Sequence, residues 1–323
     1  MSLTIWFNGA YNPAATRRLR EGVGAHRLIE SAFPDTIVGR PGHTDPALAE
    51  ADVGFGQPPV GDLLRSPRWR WMHISTAGYS RYDTVEVREA LRARSAIVTN
   101  TSSVYADPCA QHVLAMILGL GRNLLPAYRF QQQDHSWRYA ELRFTALRLT
   151  GATVLLLGFG AIGRRLTELL APFRCTIYAV RRQTRSEPGV RVIPEAELTR
   201  VLPLADHIVN ILPDNEATRG WVNARRLACC RPGARFYNIG RGTTVDEKAL
   251  LEALRSGRLG AAYLDVTEVE PLPPSDPLWS APNCYITPHL AGGRKDQDEA
   301  VVEHFLANLA AFERGQPLAD RVI

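Results

Sequence analysis

Short apolar runs alternate with amphipathic stretches along the chain, and that alternation predicts strands joined by crossover helices in mostly parallel sheets. Near the start, LTIWF, DTIVG, VGFG and WRWMHIS read as strands, AATRRLREGVGAHRLIESA as one helix and ALAEA as a short one. No glycine fingerprint occurs in this first series. From Asp107 an unusually apolar helix, DPCAQHVLAMILGLGRNLLPAYRFQQQ, is predicted to lead into a polar loop around Trp137.

A second series then opens with GATVLLLGFGAIGRRLTELLAPF and continues through TIYAV, HIVNIL, ARFYNIG, AAYLDV and CYITPHL. The pattern predicts two α/β domains joined by a helix. The tail DQDEAVVEHFLANLAAFERGQPL reads as helical, and it can return to the first domain and make that domain discontinuous.

Composition narrows the class. In 323 residues, 45% are hydrophobic and 22% charged, as in globular proteins with two domains of ordinary size. No segment approaches the roughly 18 apolar residues of a membrane helix, and no leader-like start is seen, which predicts a cytoplasmic protein. Five scattered cysteines give neither a disulfide framework nor a zinc spacing, so they read as reduced, mostly buried thiols, and no metal is expected. The net charge of +5 comes from dispersed arginines without a clustered basic footprint, which argues against nucleic acid and suits anionic small molecules.

Candidate chemistry starts at LLLGFGAIGRR. Gly158, Gly160 and Gly163 have the G-x-G-x-x-G spacing between an apolar run and a helical stretch free of proline until Pro172. Gly158 would permit the tight turn, Gly160 the approach of a pyrophosphate and Gly163 close packing of helix on strand. The amides at the helix start, including those of Ala161 and Ile162, would form the anion site. An ordinary strand-to-helix turn would not need three glycines.

About 20 residues on, an Asp or Glu would accept from the ribose 2′-hydroxyl of NAD. This strand ends instead in Arg181 and Arg182, followed by Gln183, Thr184 and Arg185. Guanidinium groups bind a 2′-phosphate through charge-assisted hydrogen bonds. NADP(H) is therefore the expected cofactor, with NAD(H) possible.

Three further groups end apolar strands, where open α/β sheets place their ligands: Arg241, Glu270 and His289. Reducing a carbonyl by hydride transfer needs a cation to hold and polarise the oxo acid, a proton donor, and a carboxylate that stabilises the charged donor. The three residues suit those roles in turn. A lone histidine is usually structural, and it is their joint occurrence after a dinucleotide fingerprint that makes the chemical reading dominate.

These stretches carry a resemblance. LLLGFGAIGRRL, NIGRGTTVDEKALLEALRSGRLGAAYLDVTEVEPLPPSDPLW and NCYITPHLAGG, with STAGYSRYD and TNTSSVYADPCAQHVLAMIL before them, resemble the D-isomer-specific 2-hydroxyacid dehydrogenase family over most of the chain, most weakly before Arg70. The resemblance implies two Rossmann-like or flavodoxin-like domains with parallel sheets. Residues 107–293 would be the cofactor domain, and 1–106 with 294–323 a discontinuous substrate domain. It assigns Arg241 to the substrate's carboxylate and oxo groups, His289 to acid/base work and Glu270 to support of His289. Asp265 would lie by the nicotinamide, Ile239, Leu212 and Pro213 along the cofactor, and Ala77, Gly78 and Tyr79 in a loop whose amides hold the substrate carboxylate. It further implies closure by hinge motion and a homodimer built through the long helix and the Trp137 loop.

Two departures from the family pattern bear on this. Gln111 stands where an acid is usual, which puts in doubt a salt bridge from that helix, and NTSSVYA lacks the usual glycine before it. The expected activity is NADP(H)-dependent reduction of a small 2-oxo acid, such as glyoxylate or hydroxypyruvate, to the D-2-hydroxy acid. The alternatives are an NAD-dependent dehydrogenase of another 2-hydroxy acid and a dinucleotide-sensing, co-repressor-like binding protein. Against the latter stands the lack of the long disordered tails such proteins use.

Overall fold

The computed structural model describes residues 2–35, 44–182 and 185–323. The chain divides into two compact units, Met1–Tyr105 with Arg294–Ile323, and Ala106–Gly293.

The first unit is built on β1 (Thr4–Gly9), β2 (Arg27–Asp35), β3 (Val53–Gly56), β4 (Trp71–Ile74) and β5 (Ile97–Thr99), all parallel, in the order β2-β1-β3-β4-β5. This is the flavodoxin-like order. Alternation along β1 sends Ile5 and Phe7 into one buried layer and Trp6 into the other. On the first face the tail helix Gln297–Glu313 packs, its Phe305 stacked on Phe55 with ring centroids 4.2 Å apart. The tail helix thus belongs to the first unit and makes it discontinuous.

The second unit carries β6 (Thr153–Leu157), β7 (Thr176–Val180), β8 (Val190–Ile193), β9 (His207–Asn210), β10 (Ala234–Asn238), β11 (Leu259–Leu264) and β12 (Cys284–Ile286). They form one parallel sheet in the order β12-β11-β10-β9-β6-β7-β8. The strand order reverses between β6 and β9, which is where a doubly wound sheet opens a crevice at its carboxyl edge. Leu155, Leu157, Ile208 and Phe236 are buried beneath that edge.

Several local expectations are corrected. The single helix read over residues 14–32 ends at Gly22, and Gly24 turns the chain at φ +58°. Beyond it RLIESAFPD is β2, because Leu28 and Ile29 pair with Ile5 and Trp6 of β1. The apolar helix read from Asp107 is two helices, Ser102–Gly121 and Leu124–Gln133, separated where Asn123 takes a left-handed φ of 56°. It starts earlier than the Asp-Pro pair suggests, its first turn capped by Asn100 on Ser102 N and by a distant residue, Asp320, whose carboxylate accepts from Ser103 N at 2.8 Å. The helix Val85–Arg94 and the strands β5 and β8 carry little periodic signal and were not foreseen. The DTIVG strand, apart from Asp35, and the Gln183–Thr184 pair lie outside the described residues.

All five cysteines are unpaired. Burial pushes the thiols of Cys109, Cys230 and Cys284 up to about 12, so they stay protonated. No helix among the described residues is long and apolar enough to cross a membrane.

Candidate active site

The glycine turn follows β6 directly. Gly158 has φ +93°, and a Cβ there would lie 3.1 Å from the Ile211 carbonyl oxygen. At Gly163 a Cβ would meet Phe159 at 3.0 Å and Ile211 at 3.1 Å, so the helix Ala161–Leu170 sits as close to the sheet as a side-chain-free position allows. Gly160 differs: a Cβ there would meet nothing within 4 Å. It is the N-cap of that helix and offers no side chain of its own, so the first-turn amides, Ala161 and Ile162 among them, have no side-chain cap. One backbone thus has two close-packed glycines flanking one left open, which is the cradle a pyrophosphate requires.

Arg181 follows β7 and forms an ion pair with Glu187 at 2.9 Å; Arg164 of the glycine-turn helix reaches the same carboxylate at 3.1 Å. The hydrogen bond from Arg164 and the charges of both arginines hold the Glu187 carboxyl below its usual range. An acid therefore does stand beside Arg181, although it arrives from a later turn. With Arg164, Arg181, exposed Arg182 and exposed Arg185 against this one carboxylate, the corner keeps a positive excess.

Arg241 is held by buried polar residues at the ends of β9 and β10. Asn210 donates to Asn238 Oδ1 at 3.0 Å and to Thr244 Oγ1 at 2.7 Å. Asn238 and the Thr244 hydroxyl in turn donate to the Arg241 carbonyl oxygen at 3.2 and 2.6 Å. The guanidinium donates to the Gly240 carbonyl at 2.6 Å, and among the described residues it pairs with no carboxylate. A Cβ at Gly240 would sit 2.8 Å from the Leu212 carbonyl, and one at Gly242 would fall 1.9 Å from the Thr267 carbonyl carbon. The Arg241 turn therefore lies directly against Leu212, which precedes Pro213, and against the loop that carries Glu270. Ile239 is buried below it, its amide on the Asn210 carbonyl.

Glu270 and His289 meet. The imidazole Nδ1–H donates to Glu270 Oε2 at 2.8 Å, and Thr267 N donates to the other carboxylate oxygen at 3.2 Å. Burial pushes the Glu270 carboxyl up, but the hydrogen bond and charge of His289, the Thr267 amide and the charge of Arg241 together hold it below its usual range. Glu270 is thus an anion aimed at Nδ1, which leaves Nε2 of His289 available for proton transfer.

Asp265 turns inward. Its carboxylate accepts from Leu290 N and Ala291 N at 2.9 Å each and from Thr287 Oγ1 at 2.6 Å, while His289 N donates to its backbone carbonyl at 2.8 Å. These bonds fix the turn in which His289 takes a left-handed φ of 52°. Asp265 thereby holds the backbone that carries His289.

Behind this loop Glu247 Oε1 accepts from Glu268 N at 2.7 Å. Burial, together with the charges of Asp276, Glu268 and Glu270, pushes the Glu247 carboxyl up to about 7 against the opposing backbone hydrogen bond. An acid whose folded value is raised stabilises the fold when protonated, and that contribution is lost as pH climbs from the ordinary carboxylate range through about 7. Glu247→Gln keeps the acceptor for Glu268 N and cannot ionise. It should melt higher than the parent at pH 8, by on the order of 1 kcal/mol after solvent screening, and at the parent's temperature at pH 4. An unchanged difference across that range in thermal melts excludes the ionisation as its source.

In the first unit, the loop after β4 has its carbonyls turned inward. The oxygens of Thr76, Ala77, Gly78 and Tyr79 accept from Thr101 N, Asn100 Nδ2, Thr76 Oγ1 and Tyr82 N at 3.3, 2.7, 2.8 and 2.8 Å. Among the described residues the amides of Ala77 and Gly78 have no acceptor. Successive outward amides of this kind form an anion-binding concavity.

The residues singled out in the sequence thus fall into two groups: Arg241, Glu270, His289, Asp265 and the nucleotide cradle in the second unit, and Ala77–Tyr79 in the first. Sequence reasoning missed Asn210, Asn238, Thr244 and Thr287. The signal for Asn210, Asn238 and Thr287 is a polar residue closing an apolar strand, as in HIVN and RFYN; Thr244, in the turn after β10, carries none. The doubted salt bridge of the long helix exists by another route: Asp107 pairs with Arg165 at 2.6 Å, and Gln111 donates to the same carboxylate group. Among the described residues no cluster of His, Cys, Asp or Glu could hold a metal ion.

Comparison with known proteins places these features in company. Residues 114–291 match the family of the D-isomer specific 2-hydroxyacid dehydrogenase NAD binding domain. A glyoxylate reductase of Pyrococcus furiosus is 32% identical over 257 residues, 78% of this chain and 75% of the relative. A D-isomer specific 2-hydroxyacid dehydrogenase from Xanthobacter autotrophicus Py2, solved with NADPH and MES, superposes with a TM-score of 0.80 at 28% identity, over 100% of this chain and 98% of that one. An NADPH-dependent glyoxylate/hydroxypyruvate reductase from Sinorhizobium meliloti, solved with NADP and sulfate, gives 0.79 at 26% identity with the same coverage.

Proposed function

Because this chain belongs to the D-isomer-specific 2-hydroxyacid dehydrogenase family, we propose that it reduces a small 2-oxo acid, glyoxylate or hydroxypyruvate first, to the D-2-hydroxy acid with NADPH. The observation that carries the reading is the Glu270–His289 pair at 2.8 Å beside the Arg241 turn, itself packed on the strand ends that hold the glycine cradle.

The cofactor would be held by the open amides at Gly160, Ala161 and Ile162, by Leu212, Pro213 and Ile239 along its length, and by Arg181 and Arg182 at the 2′-phosphate. When bound, NADPH supplies the hydride that reduces C2 of the oxo acid. Arg241 binds and polarises the substrate, the Ala77–Tyr79 amides take its carboxylate, and His289 Nε2 gives a proton to the developing alkoxide. Glu270 keeps the imidazole oriented and stabilises its charge. The 1–106/294–323 segments are assigned as the substrate domain and 107–293 as the cofactor domain.

The active species in this reading is a cytoplasmic homodimer. Leu124, Tyr128, Trp137, Tyr139 and Phe144 are exposed on one run of helices and loop, Trp137 to 92%, an apolar surface of the kind that marks an association face. The five unpaired thiols suit a reducing compartment. A sensing role is the weaker reading, since nothing besides the shared fold speaks for it.

The test is consumption of NADPH and of NADH by purified protein against glyoxylate, hydroxypyruvate, pyruvate, phenylpyruvate and 2-ketogluconate, with sedimentation of the same preparation. We expect NADPH oxidation with glyoxylate or hydroxypyruvate, a higher kcat/KM than with NADH, and twice the chain mass. Equal efficiency with both cofactors removes the arginine corner from recognition, and silence across the panel despite NADPH binding removes the substrate class.

A further inference from the structure

We propose that Asn100 and Asp320 are positioning residues for the substrate carboxylate, holding the loop after β4 with its carbonyls inward and the Ala77 and Gly78 amides outward. The inference rests on the reading that this loop takes the carboxylate.

The donors to the carbonyls of residues 75–77 come from one short stretch. Asn100 Nδ2 reaches the Ala77 carbonyl at 2.7 Å, Thr101 N the Thr76 carbonyl at 3.3 Å and the Tyr105 hydroxyl the Ser75 carbonyl at 3.4 Å. Asn100 is buried, and its Oδ1 accepts from Ser102 N at 3.1 Å, so its amide is oriented by the turn it caps. What fixes that turn is the far end of the chain. The Asp320 carbonyl accepts from Asn100 N at 3.0 Å, and its carboxylate accepts from Ser103 N at 2.8 Å.

His304 completes the clasp from the tail helix, its Nε2 lying 3.3 Å from Asp320 Oδ2 and 3.2 Å from the Asn100 carbonyl oxygen. Against the cost of burial, His304 and the Ser103 amide hold the Asp320 carboxyl below its usual range, so the cap is charged. Val322 N and Val98 N then pair the last residues with β5, through Val98 O at 2.9 Å and Ile323 O at 3.2 Å. The line of force runs from the 320–323 segment through Asp320 and Asn100 to the Ala77 carbonyl.

A peptide unit whose carbonyl is pinned inward presents the next amide outward. Pinning successive carbonyls therefore sets the anion site before substrate arrives and reduces the ordering cost of binding. Neither Asn100 nor Asp320 needs to touch the substrate. Their effect should appear in KM.

Asn100→Asp isolates the contact, because it keeps the acceptor for Ser102 N and sets a carboxylate oxygen against the Ala77 carbonyl. We expect KM for glyoxylate to rise about tenfold, the size of one lost buried hydrogen bond, with kcat within about twofold and the NADPH dissociation constant, followed by fluorescence, unchanged. Asp320→Ala should move KM the same way by a smaller factor, and it keeps the idea testable if the buried carboxylate prevents folding. Thermal melts report folding throughout.

A merely structural role would lower the melting temperature and leave KM where it was, and that result in either folded variant overturns the proposal. Gly78→Pro, which deletes one of the amides, separates the two layers. If it raises KM while the Asn100 and Asp320 variants do not, only the positioning role fails. If it leaves KM unchanged, the loop is not the carboxylate site and both readings fall.

Discussion

Replacing His289 by alanine should lower kcat by about 10² to 10⁴-fold, the usual worth of a positioned general acid, while leaving the affinity for NADPH and the melting temperature near those of the parent. The geometry separates these outcomes. The imidazole is half-exposed, and its Nδ1–H bond to Glu270 is made at the loop surface, so its removal opens no core cavity. The turn that carries it is fixed by Asp265 through the backbone amides of Leu290 and Ala291, and alanine keeps both amides. At φ 52° alanine lacks the preference histidine has for the left-handed region, but it is not β-branched, and the Asp265 bonds to the neighbouring amides keep the turn. What disappears is the Nε2 proton and the charge that Glu270 steadies. The check is a full kinetic comparison of the variant with the preferred oxo acid, alongside NADPH titration. A kcat within a fewfold of the parent would take His289 out of the chemistry and leave the Glu270 contact as a structural ion pair.

How much of this site was legible in the sequence depends on whether the cause is local. The glycine turn was readable because each glycine answers a local demand: a positive φ at Gly158, a close neighbour at Gly163, and open space at Gly160. Arg241, Glu270 and His289 were readable because each ends an apolar strand, and parallel strands deliver their carboxyl ends to one edge. Their pairing at 2.8 Å is a tertiary fact, and only the shared motif order pointed to it.

The failures have the same logic in reverse. The stretch at 14–32 looks amphipathic as a helix, yet Gly22 and Gly24 break it, and β1 recruits the remainder by backbone pairing that no single-segment pattern contains. The first turn of the long helix, which begins at Ser102, is capped locally by Asn100 on Ser102 N and, from more than 200 residues later, by Asp320 on Ser103 N, a contact no local pattern contains. Glu187 neutralises part of the arginine corner from a turn that the strand-end rule does not cover. Asn210, Asn238 and Thr244 are buried polar residues whose value lies in satisfying one another. Such a network becomes visible only when β9 and β10 lie side by side and the turn after β10 folds back on their ends.

That same network makes Arg241→Lys an informative substitution. KM for the oxo acid should rise on the order of 10- to 10²-fold, the range of a lost hydrogen bond between charged groups, with the melting temperature unchanged. The backbone at residue 241 is held by Asn238 and Thr244 acting on its carbonyl oxygen, and Gly242 lies against Thr267 without room for a side chain. Lysine inherits this setting intact, since none of those bonds uses the guanidinium. The lysine ammonium keeps the positive charge, so any loss cannot be assigned to charge alone. What it lacks is the planar fork, which can engage a carboxylate and a neighbouring oxo oxygen at once while still donating to the Gly240 carbonyl. The rise should therefore fall mainly on KM, with a smaller fall in kcat to the extent that the oxo oxygen gains charge as it is reduced. Because the Arg241 charge also helps hold the Glu270 carboxyl low, a charge-conserving replacement should leave the acid limb of the pH profile in place. A KM equal to the parent's would remove Arg241 from the substrate site, and a shifted acid limb with normal KM would make its role one of tuning Glu270.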